Sequence, residues 1–144
     1  SMGAATVLSV SGESDLPSQV KAIIADSSYT SLLEETKHEA GNMYNLPWFP
    51  LVNITSGISK VRAGYFYGEA SPLKQVAKSS RPTFFIHGSA DTFVPTKMVY
   101  SLYHALNAPK QLWIGAGSEH VQTFHDHPIE YRYKIQSFLN QYDK

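Results

Sequence analysis

Three residues far apart in the chain have the types that acyl chemistry needs: Ser1, Asp91 and His120. A serine hydroxyl is a weak nucleophile until a base takes its proton. A histidine supplies that base, and a carboxylate behind it selects the tautomer and stabilises the imidazolium. The residues around each support the assignment. Ser1-Met2-Gly3-Ala4 reads as the second half of a G-x-S-x-G nucleophile elbow, cut at the serine. The acid stands in His87-Gly88-Ser89-Ala90-Asp91-Thr92-Phe93-Val94-Pro95, and the base closes Gly115-Ala116-Gly117-Ser118-Glu119-His120. Serine, acid, histidine is one of the few chain orders in which such a triad recurs.

These groups need elements that bring them together. Val20–Ala25 is a short apolar run ending in Asp26, and it reads as a buried parallel strand. Arg81-Pro82-Thr83-Phe84-Phe85-Ile86 is the clearest strand, aromatic and β-branched, and Lys110–Ile114 is a third. Helices alternate with them. Residues 2–10 are small and apolar all round, which predicts a buried helix. Residues 29–44 read as helical, and Pro72 opens a short helix. Pro95 opens another, with Met98, Val99, Leu102 and Leu106 on one face. Pro128 opens the last, with Ile135, Phe138, Leu139 and Tyr142 at i, i+3, i+4 and i+7. The alternation implies an α/β chain with a partial doubly wound parallel sheet of about three strands. Active groups of such sheets gather at the carboxyl ends of the strands. Asp91 and His120 follow two of those ends, and Ser1 sits where a strand-to-helix turn belongs.

Residues 45–70 show no clean period. Tyr44, Trp48, Phe49, Tyr65, Phe66 and Tyr67 cluster there around Pro47 and Pro50. The stretch reads as irregular helices and loops over the top of the sheet, a small cap spanning about 29–70. Trp48, Phe49 and Tyr65 are candidate pocket residues, and equally candidates for cap packing.

Each assignment has a rival. Ser1-Met2 also fits the remnant of a cleaved tag, and Asp91 a turn residue before the helix at Pro95. Asp26, at another strand end, is the competing triad acid, or a helix cap. His120 also fits a solvent-exposed loop histidine. His87 ends its strand and reads as a structural hydrogen-bonding residue. His120, His125, Asp126 and His127 stand close enough to suggest a metal, but Asp126 serves as well for capping the last helix.

On these motifs the chain resembles the α/β-hydrolases, most of all bacterial serine hydrolases with one compact cap. The resemblance covers essentially all 144 residues, as the C-terminal half of that fold. It implies Ser1 as nucleophile, Asp91 as acid, His120 as base and the Met2 N–H as half of the oxyanion hole. The implied activity is hydrolysis of a carboxylic ester through an acyl-serine, with no metal or organic cofactor. Thioesterases, acyltransferases and prolyl-type peptidases share the motif set. Relatives of this look often carry an N-terminal membrane segment, which implies display at the cell surface; the cytoplasm is the other expectation. The strand before the elbow and the loop giving the second oxyanion donor are absent from the chain. Loss of one such donor typically costs ~10²–10³ in rate, so the chain alone is expected to be inactive or nearly so. The same absence is expected to bare one edge of the first strand and one face of the first helix. Bare edges pair with offered strands, so a homo-oligomer is expected, and a non-catalytic self-associating fragment, or a binding module on a hydrolase fold, is the competing reading.

Composition agrees with a folded domain: 42% hydrophobic and 17% charged residues argue against disorder. Lys+Arg and Asp+Glu both number 12, and no basic run stands out, so nucleic acid is an unexpected partner. With no cysteine there is neither disulfide nor thiolate chemistry. A small-molecule ester is the expected ligand.

Overall fold

A computed structural model describes residues 1–42 and 45–142; Tyr44 lies outside the described residues. Strands β1 (Ile23–Asp26), β2 (Thr83–Gly88) and β3 (Lys110–Gly115) form a parallel sheet in that order. Ile23 pairs with Thr83, and Thr83 in turn with Lys110. β2 is the central strand and is buried at every position, as the apolar Phe84-Phe85-Ile86 at its centre requires.

Alternate residues of β2 face opposite layers. Phe85 faces α1 (Met2–Val10), α4 (Pro72–Val76) and α5 (Lys97–Ala105), where Leu8, Val76, Val99 and Leu102 complete the core with Ile23 and Ala25. Phe84 and Ile86 face α7 (Pro128–Tyr142) and pack on Phe138, flanked by Ile135, Leu139 and Tyr142. The apolar stripes of α5 and α7 are therefore the core faces that their spacing predicts. α2 (Leu32–Asn42) and the short α6 (Thr123–Asp126) lie near the carboxyl ends of the strands.

Two expectations are corrected. Much of 45–70 is more regular than expected: within α3 (Trp48–Ala63) the chain breaks at Phe49, where the backbone is extended, and residues 50–63 then run as regular helix. Its buried positions are Val52 and Ser56, and it packs on α2. Leu51, Ile54, Ile58 and Val61 remain exposed, so its apolar residues do not mark its core face. The first helix is not buried all round either. Ala5 and Leu8 are buried, while Met2, Val7 and Val10 are exposed. The reason is that β1 pairs with β2 alone among the described residues, so α1 has a partner on one side only. Beside the free edge runs an apolar groove of about 300 Å³ lined by Val7, Val10, Leu16, Val20 and Ile24. No helix among the described residues is long and apolar enough to cross a membrane.

Candidate active site

The ends of β2 and β3 deliver Asp91 and His120 to one place. His120 Nδ1 lies 2.8 Å from Asp91 Oδ2. The carboxylate can only accept, so Nδ1 carries the proton and Nε2 keeps its lone pair. Nε2 makes no hydrogen bond among the described residues, and the imidazole is partly exposed. The carboxylate side chain is wholly buried. Its other oxygen accepts the Val94 N–H at 2.8 Å. Burial pushes the Asp91 carboxyl up, but hydrogen bonds with His87, His120 and Val94 together outweigh it and hold the carboxyl below its ordinary range. Phe93 packs its ring against His120, centroids 4.9 Å apart, and limits the imidazole's rotation.

The two loops are stitched to each other. Ser89 N–H donates to the Gly115 carbonyl and Ala90 N–H to the Ser118 carbonyl, both at 2.9 Å. The Gly117 N–H donates to Ser89 Oγ at 2.8 Å. Their approach is close enough that a Cβ on Gly88 would meet the Ser118 carbonyl oxygen at 2.2 Å. That atom is backbone held by two loops and cannot move aside cheaply. Gly88→Ala is expected to destabilise the protein by about 1–3 kcal/mol, as overpacking does. It is also expected to weaken the Asp91–His120 bond. Thermal unfolding checks the first effect, and loss of the low-field Nδ1 proton resonance checks the second.

Ser1 stands at the N-terminus of α1, where its carbonyl accepts the Ala5 N–H at 2.8 Å. The Met2 N–H is among the first-turn donors that a helix leaves unpaired. The Ser1 hydroxyl makes no hydrogen bond to His120 among the described residues. Asp26 is engaged elsewhere: it accepts from Ser27 Oγ and from Tyr131 Oη, both at 2.9 Å. It therefore neither reaches His120 nor caps a helix. His87 Nε2 donates to the Val94 carbonyl at 2.9 Å and lies 3.2 Å from Asp91 Oδ2, so it is hydrogen-bonded in the interior at the end of its strand. Among the described residues, no group of three or more His, Asp or Glu is arranged to hold a metal.

Of the aromatic candidates, Trp48 lines a cavity of about 630 Å³ together with Thr30, Lys37, His38, Pro95 and Lys97. Lys37 lies over its ring, 4.3 Å from the centroid. Phe49 is largely exposed, and Tyr65 is 39% exposed. Phe93 was not singled out by sequence reasoning, though it stands two residues after the acid. It lines a second cavity of about 430 Å³ with Glu39, Asn42 and Thr92. Glu35 was missed as well. It is buried on α2 with neither carboxyl oxygen hydrogen-bonded, and an acidic residue amid an amphipathic helix gave no signal of it.

Comparison with known proteins agrees with this architecture. The chain is 32% identical over 140 residues to the uncharacterized protein YqkD of Bacillus subtilis, covering 97% of this chain and 46% of that protein. It is 28% identical to the uncharacterized protein YfhR of Escherichia coli O157:H7, over 96% of this chain and 43% of that one. The chain thus spans about half the length of the curated relatives it matches. No family model matches it. Among solved structures it superposes on the Pyrococcus furiosus esterase Pf2001 with a TM-score of 0.69 at 23% identity, over 99% of this chain and 52% of the esterase. Pyrococcus horikoshii acylaminoacyl peptidase gives 0.69 at 20% identity, over 97% and 22% of the two chains. With its parallel strand order and helices on both faces of the sheet, the chain has the α/β-hydrolase fold.

Proposed function

We propose that the whole protein is a serine hydrolase of carboxylic esters, in which Ser1 attacks, His120 takes its proton and Asp91 holds the imidazole. The observation that carries this reading is the buried Asp91 carboxylate bonded to His120 Nδ1, with Nε2 left unbonded. That is the tautomer a general base requires. The hydroxyl proton would pass to Nε2 as the oxygen adds to the acyl carbon. The alcohol then leaves with that proton, and water repeats the sequence on the acyl-serine. The Met2 N–H, at a helix N-terminus, would stabilise the oxyanion. Phe93 and Trp48 offer apolar surface to the acyl or alcohol part. Residues 29–70, carrying α2 and α3, would serve as the cap. The solved structures it resembles include esterases and an acylaminoacyl peptidase, so a peptide amide is the competing substrate class.

A fluorophosphonate probe followed by peptide mass analysis tests the reading in the whole protein. Labelling at Ser1, abolished by Ser1→Ala and strongly reduced by His120→Ala, is the expected result. An unlabelled Ser1 in folded protein refutes it.

The free β1 edge favours a second property: self-association of the chain through β1 and the apolar groove beside α1. Sedimentation of the 144-residue chain is expected to show a concentration-dependent dimer or larger species. Placing a lysine at Ile24, on that edge, is expected to weaken it. A monomer at all concentrations would exclude the association.

A further inference from the structure

The cavity that Trp48 lines carries charge that an apolar ester chain does not call for. It lies between α2, α3 and the start of α5, and its volume of about 630 Å³ is that of a ligand pocket. Two lysines stand on its wall, Lys37 from α2 and Lys97 from the first turn of α5. The Lys37 ammonium is 4.3 Å from the centroid of the Trp48 ring, so the ring holds it at the cavity surface. Lys60 and Lys134 are engaged by glutamates, and Lys110 by carbonyls at the end of α5. Lys37 and Lys97 make no ion pair or hydrogen bond among the described residues. The acidic residue on the same wall is Glu34, whose Oε2 accepts the Thr30 hydroxyl. Pro95 and Lys97 also bring the positive end of the α5 dipole to this space.

A hydrogen bond joins this cavity to the smaller one beside His120. His38, on the wall of the first, donates from Nε2 to the Thr92 carbonyl at 2.8 Å. Thr92 lines the second cavity with Phe93, whose ring packs on His120. The two spaces differ in the sign of their charged residues. Glu39 stands in the one beside Phe93, and Lys37 and Lys97 in the other. An anionic group is repelled from the first and drawn to the second.

We propose that the lysine-bearing cavity binds the carboxylate of a substrate that carries an ester and a second, ionised carboxyl group on a short carbon chain. Lys37 and Lys97 hold the carboxylate, and the Ser101 hydroxyl, on the same wall, is a further donor. Trp48 and Met98 cover the chain, and the ester end lies toward Phe93 and His120. An ammonium already held against an aromatic ring loses less freedom when the anion arrives. The lysines determine specificity only; no bond to the carboxylate forms or breaks. That the ester end is hydrolysed rests on the reading given above, whereas recognition of the carboxylate does not.

The test uses the whole protein as its Ser1→Ala form, so that no probe is turned over through Ser1. Two probes differ by one charge: monomethyl glutarate and dimethyl glutarate. Binding is read from the indole N–H resonance of Trp48, identified by its loss in Trp48→Phe. The monoester is expected to give a saturable shift and to bind about tenfold more tightly than the diester, with the preference shrinking as salt is added. Lys37→Met and Lys97→Met each keep an apolar stem and remove one charge. Lys97 is exposed and Lys37 half-buried, so both variants should fold. Each is expected to weaken the monoester about three- to tenfold, and the double variant to bind the two probes alike. A diester bound as tightly as the monoester, the lack of a saturable shift with the monoester, or a preference that survives the double variant overturns the proposal. Fluorophosphonate labelling of protein with Ser1 intact decides the other reading separately. An unlabelled Ser1 with the preference intact defeats the ester reading alone, and a labelled Ser1 without the preference defeats the carboxylate site alone.

Discussion

Asp91→Asn in the whole protein is expected to lower ester turnover by about 10³–10⁴-fold with little change in fold. The asparagine fills the same volume, so Val94 N–H can still be satisfied by its side-chain oxygen. What changes is the partner of His120. An amide can present its NH₂ to Nδ1, and the ring then puts its own proton on Nε2, the nitrogen that must accept from serine. The imidazolium also loses the negative charge that stabilises it. Measurement of kcat/KM with a chromogenic ester, alongside a thermal melt, separates lost chemistry from lost structure. Undiminished turnover in a folded variant would remove Asp91 from the mechanism and reopen the choice of acid.

Phe138→Ala is the substitution with the largest expected effect on stability. Phe138 is fully buried and joins α7 to Phe84 and Ile86 of the central strand. Its ring lies 5.5 Å from that of Phe84 and 4.9 Å from that of Tyr142. Truncation of a buried phenylalanine costs about 3–5 kcal/mol. For a domain of this size that lowers Tm by roughly 10–20 °C. Ile129→Ala, on an exposed turn of the same helix, should change stability by less than about 0.5 kcal/mol. The effect should extend past the core, because α7 begins beside His127, whose Nε2 holds the Ala116 carbonyl of the histidine loop at 2.9 Å. A melt within a few degrees of wild type would mean that α7 is not needed to close that face of the sheet.

The sheet and its two outer layers were legible because burial wrote itself into spacing. β2 reads as a strand since every position is covered, and α7 reads as a helix since Ile135, Phe138, Leu139 and Tyr142 meet one surface. α3 was not legible for the opposite reason. Its exposed Leu51, Ile54, Ile58 and Val61 carry the apolar pattern, while its contact with α2 runs through Val52 and Ser56. α1 misled in another way: apolar composition implies burial only where a neighbour exists to bury against. At the candidate site, the pairing of Asp91 with His120 followed from loop positions after β2 and β3. The contribution of Phe93 did not, because stacking on an imidazole depends on where a loop side chain turns. Glu35 was hidden more deeply, since no sequence pattern records a missing hydrogen bond.

The stitching of the acid loop to the histidine loop bears on how this fold can be recombined. Ser89 with Gly117, Ala90 with Ser118, and the glycine at 88 beneath the Ser118 carbonyl make the two loops halves of one cassette. A chimera that imports either loop alone from a relative would inherit bonds with no counterpart on the other side. One that imports residues 87–97 together with 115–123 would carry the whole joint across. For anyone grafting loops between proteins of this fold, the unit of exchange is the pair of segments, although the 17 residues 98–114 separate them.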